Sequence, residues 1–245
     1  FTIEMDSRSI LQRMCALGAR VPIGRLATRN LSSTEWNRVA EWWANRFVDG
    51  AELLPSFYET RDFEELHEGL TRRKLTPERQ LEVVYDPVLS LSTIRKELES
   101  KLTQTDVGVI IVDYLNQVKR SNIPSKGGQY DWTEQIEVSK TLKSMAQEYE
   151  VPIFSPYQTD ASGEARFAKG ILDAADAAYT IETWAPEDEC ITFNCTKMRA
   201  AKMEGFTSVM DWETLKIGPQ STMNPKDRDA IKDSLSTGED IHDAV

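Results

Sequence analysis

Residues 107–118 read "VGVIIVDYLNQV", an apolar and largely β-branched run closed by a carboxylate, Asp113, with Tyr114 and Leu115 directly after it. A run of this length without polar alternation reads as a strand covered on both faces, the habit of a parallel sheet between layers of helix. In such sheets ligands collect outside the carboxyl ends of the strands. A strand that stops on a charge therefore puts that charge where chemistry is done.

Outward from this strand, the pattern alternates. "FTIEM" (1–5) reads as a strand and runs into "DSRSILQRMCALGA" (6–19), where Ile10, Met14 and Leu17 share a helical face and Asp6 is placed to cap it. "SSTEWNRVAEWWANRF" (32–47) opens on a Ser32-x-x-Glu35 capping box and carries Trp36, Val39, Trp43 and Phe47 on one stripe, which suits core packing better than a ligand cage. A helix is expected near 62–73, a short strand in "LEVVYDP" (81–87), and a helix in "SLSTIRKELESKL" (90–102) capped near Ser92. Beyond the central strand, "TEQIEVSKTLKSMAQEYE" (133–150) places Val138, Leu142, Met145 and Tyr149 on one face, and "VPIFSPYQ" (151–158) is the next strand. Strand and helix in alternation predict an α/β fold, a mostly parallel sheet flanked by helices on both sides. Two alternating runs, "ECITFNCTKMR" (189–199) and "GFTSVMDWETLKI" (205–217), predict an appended antiparallel β-hairpin. The chain thus divides into a domain over 1–218 and a mobile acidic tail over 219–245, where three Lys/Arg face six Asp/Glu.

Composition narrows the function classes. With 245 residues and 40% hydrophobic content the chain can bury a full core. No apolar stretch approaches a bilayer span and no signal peptide opens the chain, so a soluble cytoplasmic protein is expected, with no membrane partner. Three cysteines without a Cys-x-x-Cys pair, and two histidines, make a zinc site unexpected. A net charge of −11 argues against a protein that coats DNA generally, since such affinity comes from neutralising phosphates. Any DNA contact has to be local.

Three expected strands finish with polar groups on the same edge: Glu4, Asp113 and Gln158. Taken singly, an Asp at a strand end caps a turn about as often as it holds a metal, and Glu4 equally suits a helix N-terminus. The joint placement is the signal. An Asp after an apolar strand can hold Mg²⁺ through water against terminal phosphates, a second carboxylate can polarise an attacking water, and an amide can hydrogen bond the last phosphate. No Gly-x-x-x-x-Gly-Lys-Ser/Thr cradle occurs in residues 1–245. As "FTIEM" opens abruptly in a strand, that cradle is expected upstream of Phe1.

These residues resemble the DnaB-type replicative DNA helicases, whose motor domain has the RecA-like fold. The likeness runs in order through "FTIEM", "VIIVDYLNQV" (109–118), "EVSKTLKSMAQEYEVPIFSPYQ" (137–158), "ILDAADAAYTIE" (171–182) and "TKMR" (196–199). The resemblance implies Glu4 as catalytic base, Asp113 as the Mg²⁺-organising carboxylate and Gln158 as γ-phosphate sensor. Lys197 and Arg199 would reach a neighbouring subunit's site, Arg199 as an arginine finger. It further implies ATP and Mg²⁺ as cofactors, a homo-hexameric ring, single-stranded DNA in its channel, and primase and a helicase loader as partners, in the cytoplasm of a bacterial or virus-infected cell. The loop holding Lys119, Arg120, Lys126, Gly127 and Gly128 matches the family's first DNA-binding loop, and that holding Arg166 and Lys169 matches the second. Departures are the Lys-Met-Arg-Ala-Ala of the hairpin tip and the Pro156-Tyr157 before Gln158. Two other readings stand beside the ATP-driven helicase: a RecA-like recombinase, and a non-hydrolysing DNA-binding or loading subunit. The Lys197-x-Arg199 and Asp113-Tyr114-Leu115 patterns disfavour the first, and retention of all three rim residues disfavours the second.

Overall fold

The computed structural model describes residues 1–76, 81–120, 132–158, 168–183 and 189–220. These fall into two units, one of residues 1–10 and 82–178, the other of residues 11–81 and 179 onward.

The first unit is built on parallel strands. β1 (Ile110–Ile111) pairs with β2 (Ile153–Phe154), Ile110 opposite Ile153 and Ile111 opposite Phe154. Single parallel bridges extend the ladder, Thr2 to Asp113 on one side and Thr2 to Tyr85 on the other. The spatial order is therefore 84–86, 1–3, 110–113, 152–156, which matches the strands expected from "LEVVYDP", "FTIEM", "VGVIIVD" and "VPIFSPYQ". Against this ladder pack α6 (Leu91–Leu102), α7 (Trp132–Glu148) and α8 (Ala168–Ala174). Leu91, Ile94 and Leu98 of α6, Val138, Leu142 and Met145 of α7 and Ile171 of α8 bury with Ile3, Ile110 and Val112. The cap of α6 is Ser90, whose hydroxyl accepts from the Thr93 N–H at 3.2 Å. Ser92, the residue expected to cap it, already lies inside the helix and hydrogen bonds Ser90 through its hydroxyl.

Contrary to expectation, the central strand is not covered on both faces. Ile110 and Val112 are buried, while Val109 and Ile111 are about half exposed and Phe154 is 62% exposed. Side chains alternate across a strand, so α6, α7 and α8 cover the 110/112 face and leave the 109/111 face open.

The second unit holds α1 (Ser7–Ala19) from Leu11 on, then α2 (Ile23–Ala27), α3 (Ser33–Ala44), α4 (Leu54–Thr60) and α5 (Phe63–Thr71). The Asp6 cap on α1 is present, accepting from the Ser9 N–H at 2.7 Å. So is the capping box of α3: Glu35 Oε2 accepts from the Ser32 N–H at 2.7 Å while Ser32 Oγ accepts from the Glu35 N–H. The tryptophan stripe is core, as expected. Val39 is buried with Cys15 and Val21, Trp36 and Trp43 pack on that cluster, and Trp36 lies 4.5 Å from Phe63 ring to ring. α1 approaches α3 so closely that a β-carbon on Gly18 would sit 1.9 Å from the Trp42 indole nitrogen.

A four-stranded sheet, β3 (Ala177–Thr183), β4 (Cys190–Met198), β5 (Phe206–Asp211) and β6 (Lys216–Gln220), stands in that order where a two-stranded hairpin was expected. The expected second run divides because Asp211 makes a turn, its carboxylate accepting from Glu213 N–H, Thr214 N–H and the Thr214 hydroxyl. β4 pairs antiparallel with β5 from Cys190–Val209 to Phe193–Phe206, and β4 then runs on to Met198 beyond that pairing. More strand residues are thus antiparallel than parallel among those described, and the fold is mixed α/β. The acidic tail from 221 on lies outside the described residues, and β6 takes its first two positions. No helix among the described residues is long and apolar enough to cross a membrane.

Candidate active site at the strand ends

The parallel ladder brings Glu4, Asp113 and Gln158 to one rim. Asp113 accepts through its carbonyl from the Ile3 N–H at 3.1 Å and donates its own N–H to the Phe1 carbonyl at 2.9 Å, so Glu4 emerges one residue past the last ladder bond. On the other side Val112 N–H reaches Phe154 O at 2.9 Å and Leu115 N–H reaches Pro156 O at 3.1 Å, which carries Gln158 to the same end. Parallel strands that end together deliver consecutive polar residues to a shared edge because their register is set by these bonds. Glu4 and Gln158 are exposed and Asp113 is half-buried.

The residues just after Asp113 tie the rim together. Tyr114, 7% exposed, donates its hydroxyl to Glu4 Oε1 at 2.8 Å. Gln117 closes the 3₁₀ turn Leu115–Gln117 and donates its amide to the same oxygen at 3.4 Å and to the Tyr114 hydroxyl. Asn116 clasps the main chain of Gln158 from both directions, donating Nδ2 to its carbonyl and accepting its N–H at Oδ1, each at 3.0 Å. Tyr114, Asn116 and Gln117 were not singled out from the sequence as site residues. The signal available was their position: three polar side chains in the four residues after a strand-ending carboxylate, where a bare loop would need none to face inward.

Placement of the other candidates is uneven. Lys119 and Arg120 follow the 3₁₀ turn and are exposed. Lys119 holds the segment by its backbone, donating to Leu89 O and accepting from Leu91 N–H, both at 2.9 Å. Arg120 pairs with Glu137 at 2.6 Å, and its N–H donates to Glu134 at 2.9 Å. Lys126, Gly127, Gly128 and Arg166 lie outside the described residues, and Lys169 is placed on α8 by its backbone. Lys197 is on the stretch of β4 beyond its pairing with β5, and Arg199 follows the strand's end at an exposed position.

Among the described residues no cluster of three or more His, Cys, Asp or Glu side chains could cage a metal ion. A hydrated Mg²⁺ asks for less than a cage, since it keeps several waters and needs only one or two carboxylates plus substrate phosphates. Asp113 and Glu4 offer that donor set on one rim.

The family model described as the DnaB-like helicase C terminal domain matches residues 1–170. A replicative DNA helicase DnaB of Geobacillus stearothermophilus is 31% identical over 166 residues, which is 68% of this chain and 29% of the relative. A probable replicative DNA helicase of Trieres chinensis is 21% identical over 170 residues, 69% of this chain and 30% of that protein. The chain therefore spans less than a third of the length of these curated relatives. Among solved structures, a protein described as an ATPase domain superposes with a TM-score of 0.64 at 14% identity, covering 90% of this chain and 73% of its own. A DnaB-like replicative helicase, described with its interactions with primase, superposes with a TM-score of 0.63 at 13% identity over 89% of this chain and 50% of its own.

Proposed function

This chain belongs to the DnaB-like helicase C-terminal domain family, and we propose that it is the motor part of a replicative DNA helicase, hydrolysing ATP to move along single-stranded DNA and separate a duplex. The observation that carries the reading is the convergence of Glu4, Asp113 and Gln158 on one rim of the parallel ladder. The parallel strands would belong to a RecA-like sheet flanked by helices, with the ring working in the cytoplasm.

Each residue has a task its position allows. Glu4 accepts the proton of the attacking water, with Tyr114 and Gln117 setting its carboxylate. Asp113 would hold Mg²⁺ through water, and that ion supplies charge compensation for the terminal phosphates when bound. Gln158 offers its amide to the terminal phosphate from a main chain that Asn116 fixes on both sides. Lys197 and Arg199, at the far end of β4, would serve a neighbouring subunit's nucleotide in a homo-hexamer, where a cation delivered in trans stabilises the charge of phosphoryl transfer. Lys119 and Arg120, with Lys126, Gly127, Arg166 and Lys169, would track the DNA backbone in the channel, six copies multiplying each weak contact. Primase and a loader are the partners this reading brings with it. Neither alternative, recombinase or non-hydrolysing loading subunit, is favoured by any relative reported above.

The test is Glu4→Gln in the protein as its gene encodes it. Turnover of ATP in the presence of single-stranded DNA should fall at least about a hundredfold, the usual worth of a positioned base, while nucleotide binding persists. Turnover within a few fold of the wild type would remove Glu4 from the reaction and the reading with it.

A further inference from the structure

The segment that would meet DNA and the carboxylate that would activate water are joined by a short chain of contacts. Arg120 and Lys119 lead directly back into Val118 and Gln117. Gln117 touches Glu4 and the Tyr114 hydroxyl, and that hydroxyl touches Glu4 in turn. The 3₁₀ turn Leu115–Gln117 leaves little slack between them: Gln117 N–H bonds Tyr114 O and Val118 N–H bonds Leu115 O, each at 3.2 Å. Beneath it Leu115 and Val118 are buried in the core that α6 and α7 build. The turn is therefore a rigid piece whose polar side chains face the rim and whose downstream end is the basic pair.

Both donors converge on the same atom, Glu4 Oε1. An oxygen whose lone pairs are taken by two protein donors offers less to a water molecule, so these contacts restrain the base while they position it. At the other end, the Arg120 guanidinium is engaged by Glu137 of α7 and its backbone N–H by Glu134. A DNA phosphate drawing on Arg120 competes with Glu137 for its charge, and that exchange acts at the third residue from Gln117. The 3.4 Å contact from Gln117 to Glu4, the longest in the chain, is the one a small movement breaks first.

We propose that Tyr114 and Gln117 are positioning residues that restrain Glu4, and that DNA bound at Lys119 and Arg120 releases this restraint, coupling strand binding to ATP turnover. The proposal rests on the reading of Glu4 as base and of the basic pair as a DNA contact.

The experiment compares steady-state ATP hydrolysis by the full-length protein with and without oligo(dT), for wild type, Tyr114→Phe and Gln117→Met. Tyr114→Phe keeps the buried ring and removes only the hydroxyl. Its DNA-free kcat should rise roughly fivefold, the effect of one lost hydrogen bond, and the ratio of DNA-stimulated to DNA-free turnover should fall by about the same factor. KM for ATP and the anisotropy-measured affinity for labelled oligo(dT) should stay within about twofold of wild type, which general loosening of the fold would not allow. Gln117→Met, at a half-buried position, should act in the same direction and more weakly. A stimulation ratio equal to the wild type's in both variants overturns the proposal, as does a loss of turnover in both conditions. Either result leaves the helicase reading standing if Glu4→Gln is inactive; an active Glu4→Gln instead removes that reading first.

Discussion

Cys15 lies on the inner face of α1, 3% exposed among Ala16, Ala19, Val21 and Val39. Burial pushes its thiol up to about 12, against the opposite pull of the Arg46 guanidinium. A thiol that must stay protonated in the fold but ionises freely in the unfolded chain stabilises nothing at neutral pH and costs stability as the pH passes its ordinary value near 9. The unfolded chain binds fewer protons there, so stability falls with rising pH. By about pH 10 the loss should reach about 1 kcal/mol, read as a lower denaturant midpoint in wild type than in Cys15→Ala once both are normalised to about pH 8. Equal slopes in the two proteins would place the pH sensitivity elsewhere. At this same scale the site was partly legible. Asp113 announces itself because a charge closing an apolar strand demands a reason; Tyr114 counts only as part of the Asp113-Tyr114-Leu115 pattern, and Gln117 reads as an ordinary loop residue until the 3₁₀ turn folds both side chains back on Glu4.

Among the elements, α3 shows local sequence deciding local structure. Ser32 and Glu35 satisfy each other's backbone N–H groups, and Arg25 of α2 grips the same carboxylate through both terminal nitrogens at 2.9 and 2.8 Å. The Ser32 hydrogen bonds, backbone first, hold the Glu35 carboxyl below the usual range, with Arg25 adding to them. Ser32→Ala should lower stability by about 1 kcal/mol, the ordinary worth of an N-cap, seen as a drop in Tm at neutral pH. Since the lowered carboxyl contributes stability above its unfolded value and loses it as pH falls through the folded one, the gap between variant and wild type should narrow on acidification. A gap that widens toward low pH would contradict the cap. Caps and helical stripes depend on residues three or four apart, which is why α1, α3 and α5 could be read from the chain. β3 and the split of β5 from β6 could not: they depend on strand partners outside any local window and on the Asp211 turn, and "GFTSVMDWETLKI" alternates through that turn without a visible break.

For the molecule as a whole, the parallel ladder and its rim were legible because apolar strands separated by helices admit few topologies. The open 109/111 face was not, since an all-apolar run says that both faces want cover and not which of them is covered. If Arg199 serves a neighbouring subunit, Arg199→Ala protein mixed into wild-type rings should depress DNA-stimulated ATP hydrolysis more steeply than its mole fraction, because each altered subunit spoils a site it does not itself bear. Activity that declines in simple proportion would confine Arg199 to its own subunit. The structure offers a reason such delivery could work. β5 leaves β4 at Phe193, and the five residues from there to Met198 extend roughly 16 Å farther. A cation mounted that way rides on a two-stranded arm, because β3 runs along the other edge of β4 and Asn194 donates to Glu182 there: a tilt of a few degrees over that length sweeps the tip through an ångström or more only when both strands swing together.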